Sequence, residues 1–281
     1  MGTNVNAVPS GDPDAVTPLD NSAGLRQHGA SSGGSVVRED MNTTYEEEAR
    51  EYDALMSSLE FRVLAAVARE FAESREQGPA KVIDFCCGTG LVAGMLGDMP
   101  DLTYTGIDLH TPFLAAARER MRHRKNFSFL EADVRTYRGD APFDAALMTF
   151  GYHHLEDPFK LPFLKHVHGL LREDGLFIVG DYVIPPYEGE EEFKKANTDF
   201  YARRLSYLRA HDLVSDDYVE AFGEFCSSSA DHVEFKVDYR RIADAFEKCG
   251  FLKVKEIKTW PDVDLYGHER VGDFVFVFRK G

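Results

Sequence analysis

Apolar and polar positions alternate in two different rhythms along this chain. Leu55, Leu59, Val63, Leu64, Val67 and Phe71 recur at helical spacing, and Gly78-Pro79 ends that stretch. Five short apolar runs follow: Val82–Cys86, Leu102–Ile107, Phe127–Leu130, Phe143–Phe150 and Gly175–Val183. Between them lie the helical patterns Leu91–Leu96, Thr111–Arg122 and Phe159–Leu171, with a short turn at Val134–Tyr137. Alternation of this kind predicts an α/β fold with a doubly wound, mostly parallel sheet. The rhythm breaks over 186–230, which reads as two helices rich in aromatics: Tyr187, Phe193, Phe200, Tyr201, Tyr207, Tyr218, Phe222 and Phe225. It resumes with a helix over Tyr239–Cys249 and strands at Leu252–Thr259 and Asp273–Arg279. The loop between these strands, with Trp260, Pro261 and Gly267, suits an antiparallel hairpin. The expectation is a seven-stranded sheet with an antiparallel C-terminal hairpin strand. The 186–230 insertion would lie over the C-terminal edge of the sheet, where open α/β folds bind ligands.

Composition narrows the class. The chain has 281 residues, 43% apolar and 28% charged, with a formal net charge of −16. Residues 1–40 are rich in Gly, Ser, Asn, Asp and Pro and hold few large apolar side chains, so a disordered tail is expected there. The domain proper is expected over 41–281, opening with a helical segment over 41–78. No uncharged apolar run approaches a membrane span. The acidic balance argues against nucleic-acid and anionic-membrane partners, and the insertion itself holds 5 Lys and Arg against 10 Asp and Glu. Cys86 and Cys87 are adjacent, while Cys226 and Cys249 lie far apart, which suits reduced thiols in a cytoplasmic protein. No secretory signal opens the chain, and Asn6 stands where a myristoylation signal needs Ser or Thr.

The candidate chemistry begins at Val82-Ile83-Asp84-Phe85-Cys86-Cys87-Gly88-Thr89-Gly90-Leu91, a strand, a small-residue turn and a helix. Gly88 and Gly90 let the backbone approach a ligand. Gly88, Gly90 and Ala93 also satisfy a Gly-x-Gly-x-x-Ala dinucleotide pattern, which alone is a weak signal. Asp108 ends the second strand, where a carboxylate can accept both ribose hydroxyls of an adenosine. Asp133 follows the third strand, where it can accept from an adenine amino group. Either acid could instead serve as a helix cap.

Together these blocks resemble a class I S-adenosylmethionine-dependent methyltransferase of the small-molecule type, from about Tyr45 to the C-terminus. The resemblance implies a Rossmann-like methyltransferase fold and S-adenosylmethionine as cofactor. It implies that the turn of Cys86, Gly88, Thr89 and Gly90 cradles the methionine moiety. Asp84 would hold that turn or reach the cofactor's amino group. Asp108 and Leu109 would bind the ribose, and Asp133 and Val134 would read the adenine. Thr149 and Phe150 would lie beside the sulfonium, and Tyr52-Asp53 would belong to an N-terminal lid. One departure is Cys86, where the family usually has Gly.

On the acceptor side, His153 or His154 could take a proton from a hydroxyl or ammonium substrate. The plainer reading is that one imidazole packs and the other orients a loop. Asp181 ends the fifth strand as a candidate substrate contact. No metal site is expected, since only Glu156-Asp157 accompany the histidines in sequence. The expected activity is methyl transfer to an N or O atom of a small molecule under a helical lid over 186–230, by a chain that could act as a homodimer. The alternative within the fold is a non-methylating reaction, such as carboxymethyl donor synthesis or cyclisation. An NAD-dependent oxidoreductase fits less well, because a plain dinucleotide domain lacks the hairpin end.

Overall fold

Alternate residues of the central strands face opposite sides of one sheet, and this divides the core into two layers. In the strand β1 (Ala80–Phe85), Val82 joins one apolar cluster while Ile83 and Phe85 join the other. The same split separates Leu147 from Met148 and Val275 from Phe276. The structure is a computed structural model that describes residues 49–50, 52–53, 58–75, 78–139, 141–214, 218 and 234–281. The expected tail over 1–40 lies outside the described residues, as do Tyr45, Leu55, Phe222, Phe225, Cys226 and nearly all of the second insertion helix.

All seven expected strands are present. β1, β2 (Leu102–Asp108), β3 (Phe127–Glu131), β4 (Phe143–Thr149) and β5 (Leu171–Ile184) pair in parallel in the order β3-β2-β1-β4-β5. β5 starts at Leu171 rather than Gly175. Its ladder to β4 is irregular between Phe143 and Ala145, so Leu171 pairs before the register resumes at Leu176. An additional two-residue strand, β6 (Val237–Asp238), pairs with Val183 and Ile184. Two residues carry no readable period, so the sequence pattern does not reveal it. β7 (Phe251–Trp260) and β8 (Gly272–Lys280) form the expected hairpin. β8 inserts antiparallel between β5 and β7, which completes a mixed sheet of the Rossmann-like methyltransferase type.

Helices α1 (Ser58–Ser74), α2 (Leu91–Met95) and α3 (Thr111–Arg120) cover one face through Val63, Val67, Phe71, Val92 and Leu114. Helices α4 (Asp157–Leu170) and α6 (Tyr239–Lys248) cover the other through Phe163, Val167, Ile242 and Phe246. α1 lies so close to β5 that a Cβ on Gly180 would stand 2.5 Å from the Val63 side chain. The insertion contributes the helix α5 (Gly189–Ala210). Its Phe200 and Leu208 are fully buried with Ile184, Trp260 and Tyr266 beside the end of β5. Burial of each such side chain stabilises the fold by about 1.5–3 kcal/mol, so α5 is anchored to the sheet's C-terminal edge. Among the described residues no helix is long and apolar enough to cross a membrane.

Candidate active site

The turn after β1 is held in a conformation that few side chains tolerate. Cys86, Gly88 and Gly90 all have positive φ, at 56°, 54° and 76°. Gly90 has a second constraint, because a Cβ there would meet the Ala117 Cβ at 2.9 Å. The Gly88 N–H donates to Asp108 Oδ2 at 2.8 Å, and the His110 N–H donates to Asp108 Oδ1 at 2.9 Å. Asp108 therefore ties the end of β2 to the turn after β1. A cleft opens here, lined by Tyr52, Asp84, Cys86, Gly88, Thr149 and Phe150 among others.

Asp84 is buried below this cleft. The Tyr104 hydroxyl donates to its Oδ2, while Oδ1 is buried without a hydrogen-bond partner. Burial pushes its carboxyl up to about 7 even though the Tyr104 bond pulls it down. Burial, with Asp108 and Asp84 nearby, pushes the Cys86 and Cys87 thiols well up. That disfavours the thiolate that a redox role would need.

Tyr52 and Asp53 reach the cleft from the chain before α1. Tyr52 packs on Phe113, with ring centroids 4.5 Å apart, and Phe113 packs on His110. Asp53 accepts from Thr89 Oγ1 at 2.5 Å and from Arg120 at 2.6 Å, and Arg120 also donates to the Thr89 carbonyl at 2.5 Å. Leu109, by contrast, is 62% exposed at the rim. Val134 is buried in the core. Asp133 is chelated by Arg135, which donates from Nε and a terminal nitrogen at 2.6–3.0 Å. The Arg135 pairing holds the Asp133 carboxyl below its usual range against the upward push of burial.

Across the cleft, Thr149 Oγ1 is buried without a partner. Phe150 has φ of 53°, donates its N–H to the Gly180 carbonyl and packs at a tilt on Tyr182, with ring centroids 4.8 Å apart. A 3-10 turn, Tyr152–His154, follows. His153 is buried, with Nδ1 2.6 Å from Asp181 Oδ1, and its backbone N–H donates to Asp181 Oδ2 at 3.1 Å. Burial pushes the His153 imidazole down more than Asp181 lifts it, so the ring is neutral near pH 7. Burial pushes Asp181 up, but His153 and the Tyr182 N–H outweigh it and hold the carboxyl ionised. The proton of the pair thus sits on Nδ1, and Nε2 carries a bare lone pair.

His153 Nε2 faces Glu234 Oε1 at 3.7 Å. Glu234 Oε2 accepts from Tyr201 at 2.8 Å and from the fully buried Lys236. His154 is exposed beside its neighbour, with ring centroids 4.1 Å apart. Behind Tyr182, the fully buried Arg204 of α5 donates to Asp273 at 2.8 Å and to Glu60 of α1 at 2.6 Å. Tyr182 donates to the same Glu60 oxygen at 3.1 Å.

The fold thus brings Asp84, Cys86, Gly88, Thr89, Asp108, Thr149, Phe150 and Tyr52 around one cleft, and joins His153 to Asp181 beside it. Leu109 stays outside, and Asp133 faces Arg135. Glu234 and Lys236 were not among the residues singled out from the sequence, because they follow the insertion and carry no motif. Arg204 was hidden inside an aromatic stripe.

The methyltransferase-domain family matches residues 82–175. The chain is 27% identical over 139 residues to a malonyl-[acyl-carrier protein] O-methyltransferase of Paenibacillus sp. (strain JDR-2), covering 46% of this chain and 49% of that protein. It is 29% identical over 141 residues to a demethylmenaquinone methyltransferase of Thermotoga maritima, covering 49% and 59%. The chain therefore spans about half the length of these curated relatives. The solved structure of a Burkholderia thailandensis 1,6-didemethyltoxoflavin-N1-methyltransferase, with its substrate and S-adenosylhomocysteine bound, shares the fold. Its TM-score is 0.53 at 17% identity, covering 87% of each chain. The matched domain over 82–175, the strand order and the glycine turn all agree with a class I S-adenosylmethionine-dependent methyltransferase.

Proposed function

We propose that this chain methylates an N or O atom of a small-molecule acceptor, with S-adenosylmethionine as donor. The observation that supports the reading is the His153–Asp181 pair, with Nδ1 2.6 Å from Asp181 Oδ1 and the His153 ring packed on Tyr182 next to Phe150 of the cleft.

The residues present fit the cofactor. The unpartnered Asp84 Oδ1 and Thr149 Oγ1 are acceptors at the cleft that a bound ligand's N–H groups could satisfy. Around Gly88 a Cβ would meet nothing within 4 Å, so the backbone is open to a ligand. Cys86, Gly88, Thr89 and Gly90 would hold the methionine moiety, with Asp84 toward its ammonium. Asp108, with Leu109 at the rim, would bind the ribose. Val134 and Asp133 would read the adenine, the latter once its carboxylate turns from Arg135. Thr149 and Phe150 would flank the sulfur, and Tyr52 would close over the turn. The bound cofactor supplies a methyl group activated by a sulfonium. The protein's part is to align the acceptor atom with it in a site closed to water.

His153 Nε2 takes the proton of a hydroxyl or ammonium acceptor, and Asp181 stabilises the imidazolium that forms. His154, beside it, is the exposed candidate for contact with the acceptor. Of the two segments read as lids, the described parts that would cover the site are Tyr52 and Asp53 before α1, and α5 beside the end of β5. The acidic chain works in the cytoplasm on a small molecule rather than on nucleic acid, and a homodimer is compatible with this.

Calorimetric titration with S-adenosylmethionine, S-adenosylhomocysteine and NAD tests the cofactor. Binding of the first two, weakened in Asp108→Ala, is expected, and binding of NAD alone would overturn the reading. Mass spectrometry of amines, phenols and carboxylic acids incubated with enzyme and donor then tests the acceptor class. Consumption of the acceptor without a gain of one methyl mass would point to the non-methylating alternative.

A further inference from the structure

The contact between His153 and Glu234 is not a hydrogen bond. Its 3.7 Å separation lies beyond hydrogen-bonding range. Asp181 also places the imidazole proton on the far nitrogen, so two lone-pair donors face each other in a buried space. Such a pair is repulsive unless something positive lies between. Bonds of about 2.0–2.2 Å to one tetrahedral ion place its ligand atoms about 3.3–3.6 Å apart, close to this spacing. His154 supplies a third donor, and the ligand atoms of His153, His154 and Glu234 all lie within 4.8 Å of one another. His154 is exposed, so its ring can turn to shorten that span without disturbing the core.

The groups behind these ligands are those a metal site needs. Asp181 accepts from Nδ1 of His153, which fixes the ring and aims Nε2. Tyr201 and Lys236 hold Glu234 Oε2, which leaves Oε1 as a single directed ligand.

We propose that His153, His154 and Glu234 bind one divalent transition cation of the zinc or cobalt type. Two imidazoles and one carboxylate suit such borderline ions better than magnesium or calcium, and they leave coordination positions open. The cation would then hold and polarise an acceptor oxygen where His153 alone would otherwise remove its proton. That role, though not the binding, rests on the methyl-transfer reading above. Sequence spacing could not reveal the site, because Glu234 is far from the histidines along the chain and arrives through β6.

The test uses the full chain, stripped with a chelator and titrated with Co²⁺ in the visible range, then with Zn²⁺ in competition. Saturable binding of one Co²⁺ per chain, with tetrahedral or five-coordinate d–d bands and displacement by Zn²⁺, is expected. His154→Ala and Glu234→Gln should each weaken it at least about tenfold, and Asp181→Asn about tenfold through the orientation of His153. S-adenosylhomocysteine titration of the same samples reports whether each variant is folded. It also separates failure of this site from failure of the cofactor reading. Absence of saturable Co²⁺ and Zn²⁺ binding in a sample that binds S-adenosylhomocysteine would overturn the proposal. So would binding unchanged in both His154→Ala and Glu234→Gln.

Discussion

Asp53 and Arg120 meet at 2.6 Å, joining the segment before α1 to the last turn of α3 across the glycine-rich loop. Thr89 completes the clasp, giving its hydroxyl to Asp53 and its carbonyl to Arg120. The segment that carries Tyr52 is thereby fastened to the loop proposed to hold the cofactor. Both partners are partly exposed, with side chains 29% and 24% accessible, so the pair adds at most about 1 kcal/mol to global stability. Asp53→Ala should therefore leave the unfolding midpoint nearly unchanged. Its effect should appear as S-adenosylhomocysteine affinity reduced by about 3–10-fold, equivalent to about 0.7–1.4 kcal/mol, read by calorimetry.

Asp84 makes the fold's stability depend on pH in a defined direction. Its folded carboxyl is raised from 3.8 to about 7, chiefly by burial, so the folded chain keeps this proton where the unfolded chain has lost it. The contribution is fully present below about pH 4. It falls as pH rises and is gone above about 7, a difference on the order of 2–4 kcal/mol. Asp84→Asn should flatten this part of the profile, because the amide can still accept from Tyr104. Urea unfolding of both proteins at pH 5 and pH 8 checks it: the parent should lose more stability between the two than the variant.

Cys86 holds a left-handed conformation that glycine adopts without cost. Its side chain is small and only partly buried, so little packing is lost with it. Cys86→Gly should keep the fold within about 1 kcal/mol of the parent, strain relief offsetting the added freedom of the unfolded chain. Cys86→Val places a β-branched residue at φ of 56° and should cost more than about 2 kcal/mol. Thermal unfolding of the two variants side by side decides this.

Arg204 is the charge on which α5 depends. It is fully buried between Glu60 and Asp273, and its guanidinium lies over Trp260 with 4.7 Å to the ring centre. Arg204→Met removes the cation that lies between two buried carboxylates and should cost about 3–5 kcal/mol. Adding Glu60→Gln and Asp273→Asn to it should recover a substantial part, since no charge is then stranded. Denaturant midpoints of the single and triple variants measure the recovery.

The parallel strands and their helices were legible in the sequence because their signals are local. Val82–Cys86 and Phe143–Phe150 must be mostly apolar where the chain passes through a doubly covered sheet. Gly88 and Gly90 must be small wherever the backbone turns sharply into a helix. The pairing of Asp108 with the turn was legible in outline, since the end of β2 is necessarily beside the end of β1 in this topology. Position alone did not reveal that Asp133 would be taken up by Arg135. That depends on which rotamer the neighbouring guanidinium adopts.

What the tertiary structure alone decided is the grouping of charges around His153. His153 and His154 are adjacent in sequence, yet one is buried against Asp181 and the other exposed. Glu234 reaches them because β6 pairs with the end of β5 and the Phe235 N–H donates to the His153 carbonyl at 2.7 Å. Arg204, Glu60 and Asp273 come from α5, α1 and β8, and none carries a mark of its partners in the residues around it. The sequence by itself determined which segments bury their backbones in the sheet, because that requirement is met residue by residue. Which charges meet across distant segments was decided by folding, because an ion pair or ligand set constrains positions in space and leaves no period along the chain.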